Sequence, residues 1–438
     1  MRDIAFVVGL LAMLPFAIGR PHIGVLLWCW TAMLVPNTFV YGFATSIHFN
    51  LIVVVLTLIL WVLSKEPVRI PMNRTTTLLI IFGVLGTISA AFAIGPEGTA
   101  WGEWGKFSKI IFFAVVVGAL INSRLRIEAL IYAIFLSVGF HGVEEGLKFI
   151  FSGGGHHIFG PEISILSDNN HFALAILCTL PLVFFLYRQA HHRWLRLTLL
   201  GSAGILFFTV IGTFSRGGLI GLLAIAIWAF LHSARKGRYL AVAIPLAILL
   251  ISFAPDRWTS RMDTISSANQ DESFMGRVIA WKQSTLIALD NPILGGGFHA
   301  VQDFAVWTRY RVTRFHELDF IATDEPDPLA PHAAHSIYFQ VLGDMGFVGL
   351  TVFGLLGLTA WRNTSAVIKK TKGRTNLEWA GQLAQYAQYS LIAYFVSGAA
   401  LSMAYFEFMY ILFAMLASLR IIVDRETAEP TPAPGTRR

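Results

Sequence analysis

Charged side chains are scarce in this chain. Asp, Glu, Lys and Arg make up 13% of its 438 residues, whereas hydrophobic residues make up 55%, and the mean hydropathy is +0.63. A soluble domain usually carries about 25% charged residues. A chain with so little charge cannot cover its own surface in water, so we predict that lipid covers most of it.

Cysteine is nearly absent as well. The two cysteines, Cys29 and Cys178, both lie inside apolar runs. A structural disulfide is therefore not expected, and cysteine usage does not indicate a redox compartment. The first apolar run is not expected to be a cleavable signal, because Asp3 follows Arg2 and no small-residue cleavage site comes after it.

Apolar runs recur along almost the whole chain, at about 4–19, 22–36, 50–64, 77–94, 107–121, 127–150, 171–187, 195–214, 217–232, 238–254, 337–361, 381–400 and 403–423. A helix needs about 20 apolar residues to cross the hydrocarbon core, and several of these thirteen runs, including the first two, are shorter than that. We predict an all-α polytopic membrane protein with about twelve transmembrane helices.

The chain has a net charge of +7, and its cations are concentrated in every second loop between the apolar runs. Short loops on one side carry the cations, which marks that side as cytoplasmic; they are Arg20, Lys65, Arg69, Arg74, Arg124, Arg126, Arg188, Arg193, Arg196, Arg235, Lys236, Arg238, Arg362, Lys369, Lys370, Lys372, Arg374, Arg420 and Arg425. The alternating loops are poor in cations and face outward. The charge is thus a topology signal, and nucleic acid is not an expected partner.

One outward-facing region is long and polar. Residues 255–335 contain eleven acids and seven cations, and we predict that they form one large periplasmic loop. Within it, 277–289 has apolar residues at helical spacing and predicts an amphipathic helix at the membrane interface, followed by a second short helix over 300–310 and an irregular stretch at 324–331. The predicted organisation is transmembrane helices over 1–254, the loop at 255–335, transmembrane helices over 336–424 and a disordered cytoplasmic tail at 425–438.

His335 lies where this loop re-enters the membrane, in Pro331-His332-Ala333-Ala334-His335-Ser336. One interpretation is a histidine that caps the following helix. The other is a general base, because imidazole, with an unperturbed pKa of about 6.5, accepts a proton near neutral pH.

Two arginines stand in unusual positions. Arg216 occupies a very short outward turn between two apolar runs, where an ionisable residue is a functional candidate and where Gly217 and Gly218 would let a phosphate approach the backbone; snorkelling to headgroups is the alternative. Arg277 lies in the polar loop, where a salt bridge to Asp271 or Glu272 is the simpler interpretation.

Other polar groups are weaker candidates. His141, Glu144, Glu145 and Lys148 share one face of a predicted helix, either as a self-satisfied cluster with Glu144 and Lys148 paired or as a wall of a catalytic cavity. Lys106 and Lys109 would either anchor their helix at the interface or add positive charge for a phosphate. The histidines His299, His316, His332 and His335 match no known metal spacing, so no metal is expected.

Three motif blocks resemble the bacterial O-antigen ligases. They are His335-Ser336 followed after nine residues by Gly346-x-x-Gly349, the Gly276-Arg277-x-x-x-Trp281 block with 291–298 (NPILGGGF), and Arg216 in its turn. The resemblance, which extends to an exosortase-associated branch, implies a fold similar to GT-C-type glycosyltransferases. It also implies that His335 is the catalytic histidine and that Arg216 and Arg277 contact a donor pyrophosphate, with Lys106, Ser336 and Trp281 as further substrate-binding residues.

The function that this resemblance implies is transfer of a glycan from an undecaprenyl-pyrophosphate carrier onto a lipid A–core hydroxyl, at the periplasmic face of the bacterial inner membrane. The expected reaction is inverting and needs no metal, ATP or other cofactor. A glycan polymerase or a protein O-oligosaccharyltransferase would use the same donor. A lipid-linked glycan transporter is the alternative from another class, although transporters place substrate near the midplane and the polar residues here gather at the outer face.

Overall fold

A computed structural model of the chain describes residues 2–233, 272–321 and 331–428, together with positions 236, 237, 240, 241 and 244. The N-terminal part of this structure is a series of helices: α1 (Arg2–Met13), α2 (Pro21–Leu34), α3 (Phe49–Leu63), α4 (Arg74–Ala91), α5 (Glu97–Leu120), α6 (Arg124–Ile134), α7 (Phe140–Phe151), α8 (Asn169–Gln189), α9 (Arg193–Gly212) and α10 (Arg216–His232). A single π-helical turn, Phe135–Gly139, joins α6 to α7 without a break.

The later described residues continue in the same way. They form α11 (Glu272–Asp290), α12 (Phe304–Thr313), α13 (Ile337–Thr371), α14 (Glu378–Ser397) and α15 (Glu407–Ala428), and the described part of the chain contains no strand. Side-chain caps fix several helix starts: Asn73 precedes α4, Asp168 precedes α8 and Ser215 precedes α10, and each accepts a hydrogen bond from a backbone N–H of the first turn.

The prediction of a helical membrane protein is confirmed. Among the described residues, five helical segments are long and apolar enough to cross a membrane: Arg74–Ala91, Arg124–Phe151, Asn169–Gln189, Arg193–Gly212 and Ile337–Thr371. Shorter apolar helices accompany them, and the first two apolar runs form two separate helices of 12 and 14 residues. The run predicted at 238–254 lies largely outside the described residues. Together these apolar helices make the chain a multi-pass membrane protein.

The helices differ in how far other helices cover them. In α8, 78% of the most apolar window is buried inside the protein, compared with 39% in α4 and α9. Helix α8 packs against α9, α10 and α14 and so forms the centre of the bundle. Apolar side chains on the outer helices, such as Val84 and Ile227, stay exposed, and they are the surface that the acyl chains of a bilayer would cover.

The polar region after α10 has a core of its own. Helix α11 packs against both α12 and α13, and Ile279, Leu286, Val306, Trp307, Tyr310 and Phe315 form a separate apolar cluster. The second predicted helix is a short 3-10 turn, Ala300–Gln302, followed by α12. The stretch predicted as irregular at 324–331 lies outside the described residues, except for Pro331.

Two expectations need correction. The helix predicted over 277–289 exists, but it is packed into protein rather than lying with one face free at an interface: Lys282, Gln283 and Ser284 are fully buried, and the Lys282 ammonium binds Asp319 (2.9 Å). The disordered tail predicted over 425–438 is wrong for residues 425–428, because α15 continues to Ala428; residues 429–438 lie outside the described part.

Candidate functional site

The segment 331–336 enters the bundle in a strained conformation. His335 has φ +42°, in the left-handed region that non-glycine residues rarely adopt, and such strain persists only where neighbouring contacts hold it. Here the His335 amide N–H donates to Ser402 Oγ (2.9 Å). Gln340, in the first turn of α13, accepts from the amide of Ala404 (3.0 Å). The connection between α14 and α15 therefore holds the backbone of His335 from one side.

Helix α11 holds the same segment from the other side. The Trp281 indole N–H donates to the carbonyl of Ala334 (2.6 Å), and its ring stacks on Phe339 with 5.1 Å between centroids. His332 packs on Gly276, where a Cβ would lie 3.1 Å from the imidazole. Because Arg277 is four residues before Trp281, it lies on the same face of α11, the face that meets residues 331–336.

The surroundings of His335 favour a neutral imidazole. Burial is the largest effect, and together with the positive charge of Arg277 it lowers the pKa of His335 to about 4. His171 and His332 add smaller effects in the same direction, while the carboxylate of Asp168 opposes them. An unprotonated imidazole at neutral pH can accept a proton, as a general base must.

Arg216 is the first residue of α10, directly after a turn with unusual geometry. Phe214 has φ +52°, and the hydroxyl of Ser215 caps the helix by accepting from the amide of Gly218 (3.0 Å). The carbonyl of Thr213 accepts from Asn169 Nδ2 (2.8 Å), which fixes the turn to the start of α8. A helix N-terminus attracts anions through its free N–H groups and dipole, and Arg216 adds a full positive charge there.

The predicted catalytic residues lie at one end of the bundle. The start of α10 contacts the last residue of α14, where a Cβ on Gly217 would lie 3.7 Å from the Ser397 carbonyl. Five residues later, Ser402 binds the His335 backbone. Arg277 influences His335 directly through its charge. This end of the bundle thus combines a strained, half-buried histidine with two arginines.

The other predicted substrate-binding residues are placed differently. Ser336 is buried and precedes α13, and the Trp281 N–H is engaged by Ala334. Lys106 pairs with Glu103 (2.7 Å), its side chain being 70% exposed, and no hydrogen bond or ion pair recorded for the described residues joins it to the segment 331–336. Two of these three residues therefore border His335, whereas Lys106 points to solvent.

Sequence reasoning missed the residues that hold the site. Ser402 and Gln340 carry no pattern that would reveal a contact with a strained backbone. Asp168 and His171 were detectable in principle, because Asp-x-x-His before an apolar run is a helix start, but nothing in the sequence places them near His335.

The glycines of two motif blocks contact each other. We call the contacts between residues 291–297 and 343–347 the glycine seam. Helix α13 is interrupted at Gly346 (φ +66°, ψ −167°). Across the break, the amides of Gly296 and Gly297 donate to the carbonyls of Gly343 (2.7 Å) and Asp344 (3.0 Å), and the Phe347 amide donates to the carbonyl of Pro292 (2.9 Å). The glycines are required because side chains would collide: a Cβ on Gly295 would lie 2.5 Å from the Gly346 nitrogen.

A buried carboxylate lies beside the glycine seam. Asp344 is 4% exposed, and it accepts from the His299 amide (3.0 Å) and from the hydroxyl of Tyr405 (2.9 Å). His299 itself has φ +61°. Asp344 therefore ties the polar region to the connection between α14 and α15, which also carries Ser402.

The polar side chains on α7 are paired with one another or with nearby groups of the protein. Lys148 pairs with Glu144 (3.0 Å) and Glu145 (2.6 Å), and His156 contacts Glu145 (2.8 Å). The imidazole of His141 bonds to the carbonyl of Leu34 (2.8 Å). Of the two interpretations, the geometry thus favours the self-satisfied cluster. In the described ranges, no group of three or more His, Cys, Asp or Glu side chains could hold a metal ion.

Two known families match separate segments of the chain. Residues 1–191 match a family of unknown function (DUF5935). Residues 201–354 match the family described as "O-Antigen ligase", a segment that includes Arg216, Arg277, His335 and the glycine seam. No curated protein matches the chain significantly.

Proposed function

We propose that the protein is a glycosyltransferase that moves a glycan from a polyprenyl-pyrophosphate carrier to an acceptor hydroxyl, and the match of residues 201–354 to the family described as "O-Antigen ligase" supports this proposal. The observation that carries this proposal is the neutral, backbone-clamped His335 beside Arg277, at the same end of the bundle as Arg216. The expected carrier is undecaprenyl pyrophosphate in a bacterial inner membrane, with the site facing the periplasm.

The two arginines would bind the leaving group. A planar guanidinium can donate two parallel hydrogen bonds to phosphate oxygens. Arg277 on α11 and Arg216 at the N-terminus of α10 would therefore hold the pyrophosphate and stabilise the negative charge that develops on it as the glycosidic C–O bond breaks. Since the sugar is already activated as a pyrophosphate ester, the reaction needs no ATP, and the arginines can provide this stabilisation without a metal.

His335 would act on the acceptor. Its neutral imidazole takes the proton of the acceptor hydroxyl, whose oxygen attacks the anomeric carbon from the face opposite the leaving pyrophosphate. The new glycosidic bond forms as the old one breaks, and the sugar inverts without a covalent glycosyl-enzyme. Trp281 and Ser402 have positioning roles in this scheme, since each binds the backbone at or next to His335.

The proposed organisation follows the same division as the sequence. Transmembrane helices over 1–254 and 336–424 would enclose the carrier, and the periplasmic region 255–335 would supply Arg277 and His335. The acceptor is proposed to be a lipid A–core sugar. A second lipid-linked repeat, as in a polymerase, or a protein hydroxyl would serve the same chemistry.

The test is glycan transfer by purified protein in lipid nanodiscs. Released undecaprenyl pyrophosphate is measured with a lipid-linked donor and, in separate reactions, lipid A–core, a second lipid-linked unit or a protein acceptor. His335→Ala should lower turnover by about 10²–10⁴-fold, whereas His191→Gln, an exposed histidine at the other end of the bundle, should not change it. Near-normal turnover in His335→Ala with an unchanged elution profile would remove the base assignment.

The same assay tests the arginine. Arg216→Lys keeps the charge but loses the planar fork, so the KM for the donor should rise; wild-type kinetics would contradict two-point phosphate binding. A separate arm uses the protein in sealed vesicles: movement of intact donor across their bilayer, with no release of pyrophosphate by any acceptor, would identify a transporter instead.

A further inference from the structure

A cavity lies far from His335, at the opposite end of the bundle. It has a volume of about 640 Å³ and opens between the ends of α5 and α15, the start of α6 and the connection between α3 and α4. Helix α15 has 22 residues and so extends about 33 Å; it begins beside the connection that holds His335 and ends at this cavity. The two sites therefore lie about one membrane thickness apart.

Positive charge dominates the wall of this cavity. Arg69, Arg126 and Arg425 line it, together with the single acid Glu66. The Arg126 guanidinium binds both oxygens of Glu66 and also donates to the carbonyl of Leu120 (2.8 Å). This pairing neutralises the acid, so the charges of Arg69 and Arg425 remain uncompensated in the wall.

Arg69 and Arg425 are free to take a ligand. Both side chains are exposed, and within the described part of the chain neither has a recorded side-chain hydrogen bond or ion pair, unlike the neighbouring Arg420, which binds Asp424 (2.8 Å). Two guanidinium groups on separate elements that face one cavity match the oxygens of a phosphate group, which each can bind through two N–H donors.

The apolar part of the wall indicates what the phosphate is attached to. Leu120, Ile70, Ile421 and Ile422 line the same cavity. On either side of Arg69 and Ile70, the side chains of Val68 and Met72 are 58% and 68% exposed. Exposed apolar side chains beside the arginines would contribute nothing to the binding of a free anion. A phospholipid, in contrast, places its phosphate and the first part of its acyl chains in such surroundings.

We propose that this cavity binds the phosphate of an anionic phospholipid between Arg69 and Arg425, with the acyl chains along Ile70 and Ile421. The bound lipid bridges the last turn of α15 and the connection between α3 and α4. The proposal does not depend on the glycan-transfer function, because it uses none of the residues around His335.

Native mass spectrometry of the detergent-purified full chain tests the proposal. Phosphatidylglycerol and cardiolipin should bind the wild type more tightly than phosphatidylethanolamine or phosphatidylcholine. The double variant Arg69→Gln/Arg425→Gln should bind phosphatidylglycerol at least about tenfold more weakly. The control Lys372→Gln/Arg374→Gln removes the same charge from exposed positions at the same end of the bundle but outside the cavity, and its binding should equal that of the wild type.

The source of the phosphate is decided in a parallel arm. Thermal unfolding in neutral detergent should respond to phosphatidylglycerol but not to millimolar inorganic phosphate, and the shift should vanish in the double variant. Equal stabilisation by inorganic phosphate would overturn the lipid assignment in favour of a soluble anion. Unchanged lipid binding in the double variant, or equal loss in the control, would overturn the site itself. Because both arginines are exposed, the double variant is expected to unfold at the wild-type temperature when no lipid is added.

Discussion

At the end of the bundle that carries His335, elements far apart in the chain are joined through backbone groups: Trp281 to the carbonyl of Ala334, Ser402 to the amide of His335, and the glycine seam. At the opposite end, side-chain charges make the corresponding contacts, as between Arg126 and Glu66 or between Lys370 and Asp424 (2.8 Å).

Because of this difference, we expect the two ends of the bundle to respond differently to substitutions. A backbone contact fixes the position of a main-chain atom and depends on the shape of the neighbouring residue, so a single added methyl group can break it. An exposed ion pair is solvated and contributes about 0–1 kcal/mol. We therefore expect substitutions at the His335 end to have large effects on folding or turnover and those at the charged end to have small effects on stability alone.

The largest expected effect comes from breaking the glycine seam. In Gly346→Ala, the new Cβ would lie 2.6 Å from the carbonyl oxygen of Pro292 and 2.8 Å from that of Asn291, at a backbone with φ +66°. The strain alone costs about 1–3 kcal/mol, and the collision adds to it, so the unfolding temperature should fall clearly. Gly354→Ala is the matched control in the same helix, because a Cβ there meets nothing within 4 Å; equal unfolding temperatures for the two variants would contradict the role of the glycine seam.

The second largest effect is expected from removing the hydrogen bond between the Trp281 indole and the carbonyl of Ala334. Trp281→Phe keeps an aromatic ring against Phe339 but removes the N–H that binds Ala334. With the His335 segment less well held, kcat should fall about tenfold at constant unfolding temperature, while the KM for the donor changes little. Trp101→Phe, at an exposed indole, is the control. A lower donor affinity at unchanged kcat would instead indicate that Trp281 binds substrate.

The pH dependence of turnover reports the protonation state of His335. Because burial and Arg277 lower the pKa of His335 to about 4, the imidazole stays neutral from pH 8 to 5, and its protonation should reduce kcat/KM only as the pH approaches 4. Arg277→Gln removes the positive charge beside the imidazole, so the pKa of His335 rises. The fall of the remaining kcat/KM at low pH should then begin at a higher pH. Asp168→Asn should move it to lower pH. A wild-type limb near pH 6.5 would show that His335 is not held neutral in this way.

The smallest effect is expected at the charged end. Lys370→Gln removes the cation that binds Asp424, in an ion pair whose side chains are both 41% exposed, and should lower the unfolding free energy by about 1 kcal/mol or less, with unchanged kcat. Chemical denaturation in mixed micelles gives the first quantity, and the transfer assay gives the second. A marked loss of turnover would mean that the charged end communicates with the site.

The sequence predicted the helices of the fold better than the contacts between them. Hydrophobic runs predicted the apolar helices well, because length and composition alone decide which segments lipid can cover. The same reasoning located the polar region but was wrong about α11. Lys282 looks solvent-facing in the sequence, and only folding brings Asp319 and the ring of Phe315 next to its ammonium group.

For the site, residue chemistry indicated His335, Arg216 and Arg277, but it could not predict the residues that hold them in position. Ser402 is an ordinary serine in sequence, and its importance arises from a hydrogen bond to a residue 67 positions away. The motif glycines were visible as a pattern, yet their meaning depends on two loops meeting backbone to backbone. Periodicity carries no information on such contacts, because it describes each helix singly.

The glycine seam also limits how this chain can be combined with another protein that matches over residues 201–354. The seam consists of two segments, 291–297 and 343–347. Each segment has backbone hydrogen-bond donors or acceptors that only the other segment satisfies, in an interior without water. A graft that exchanged only the outer region up to His335 would join one parent's 291–297 to the other parent's 343–347. Functional hybrids should instead be cut before Glu272 and after Gly349, so that both halves are inherited together.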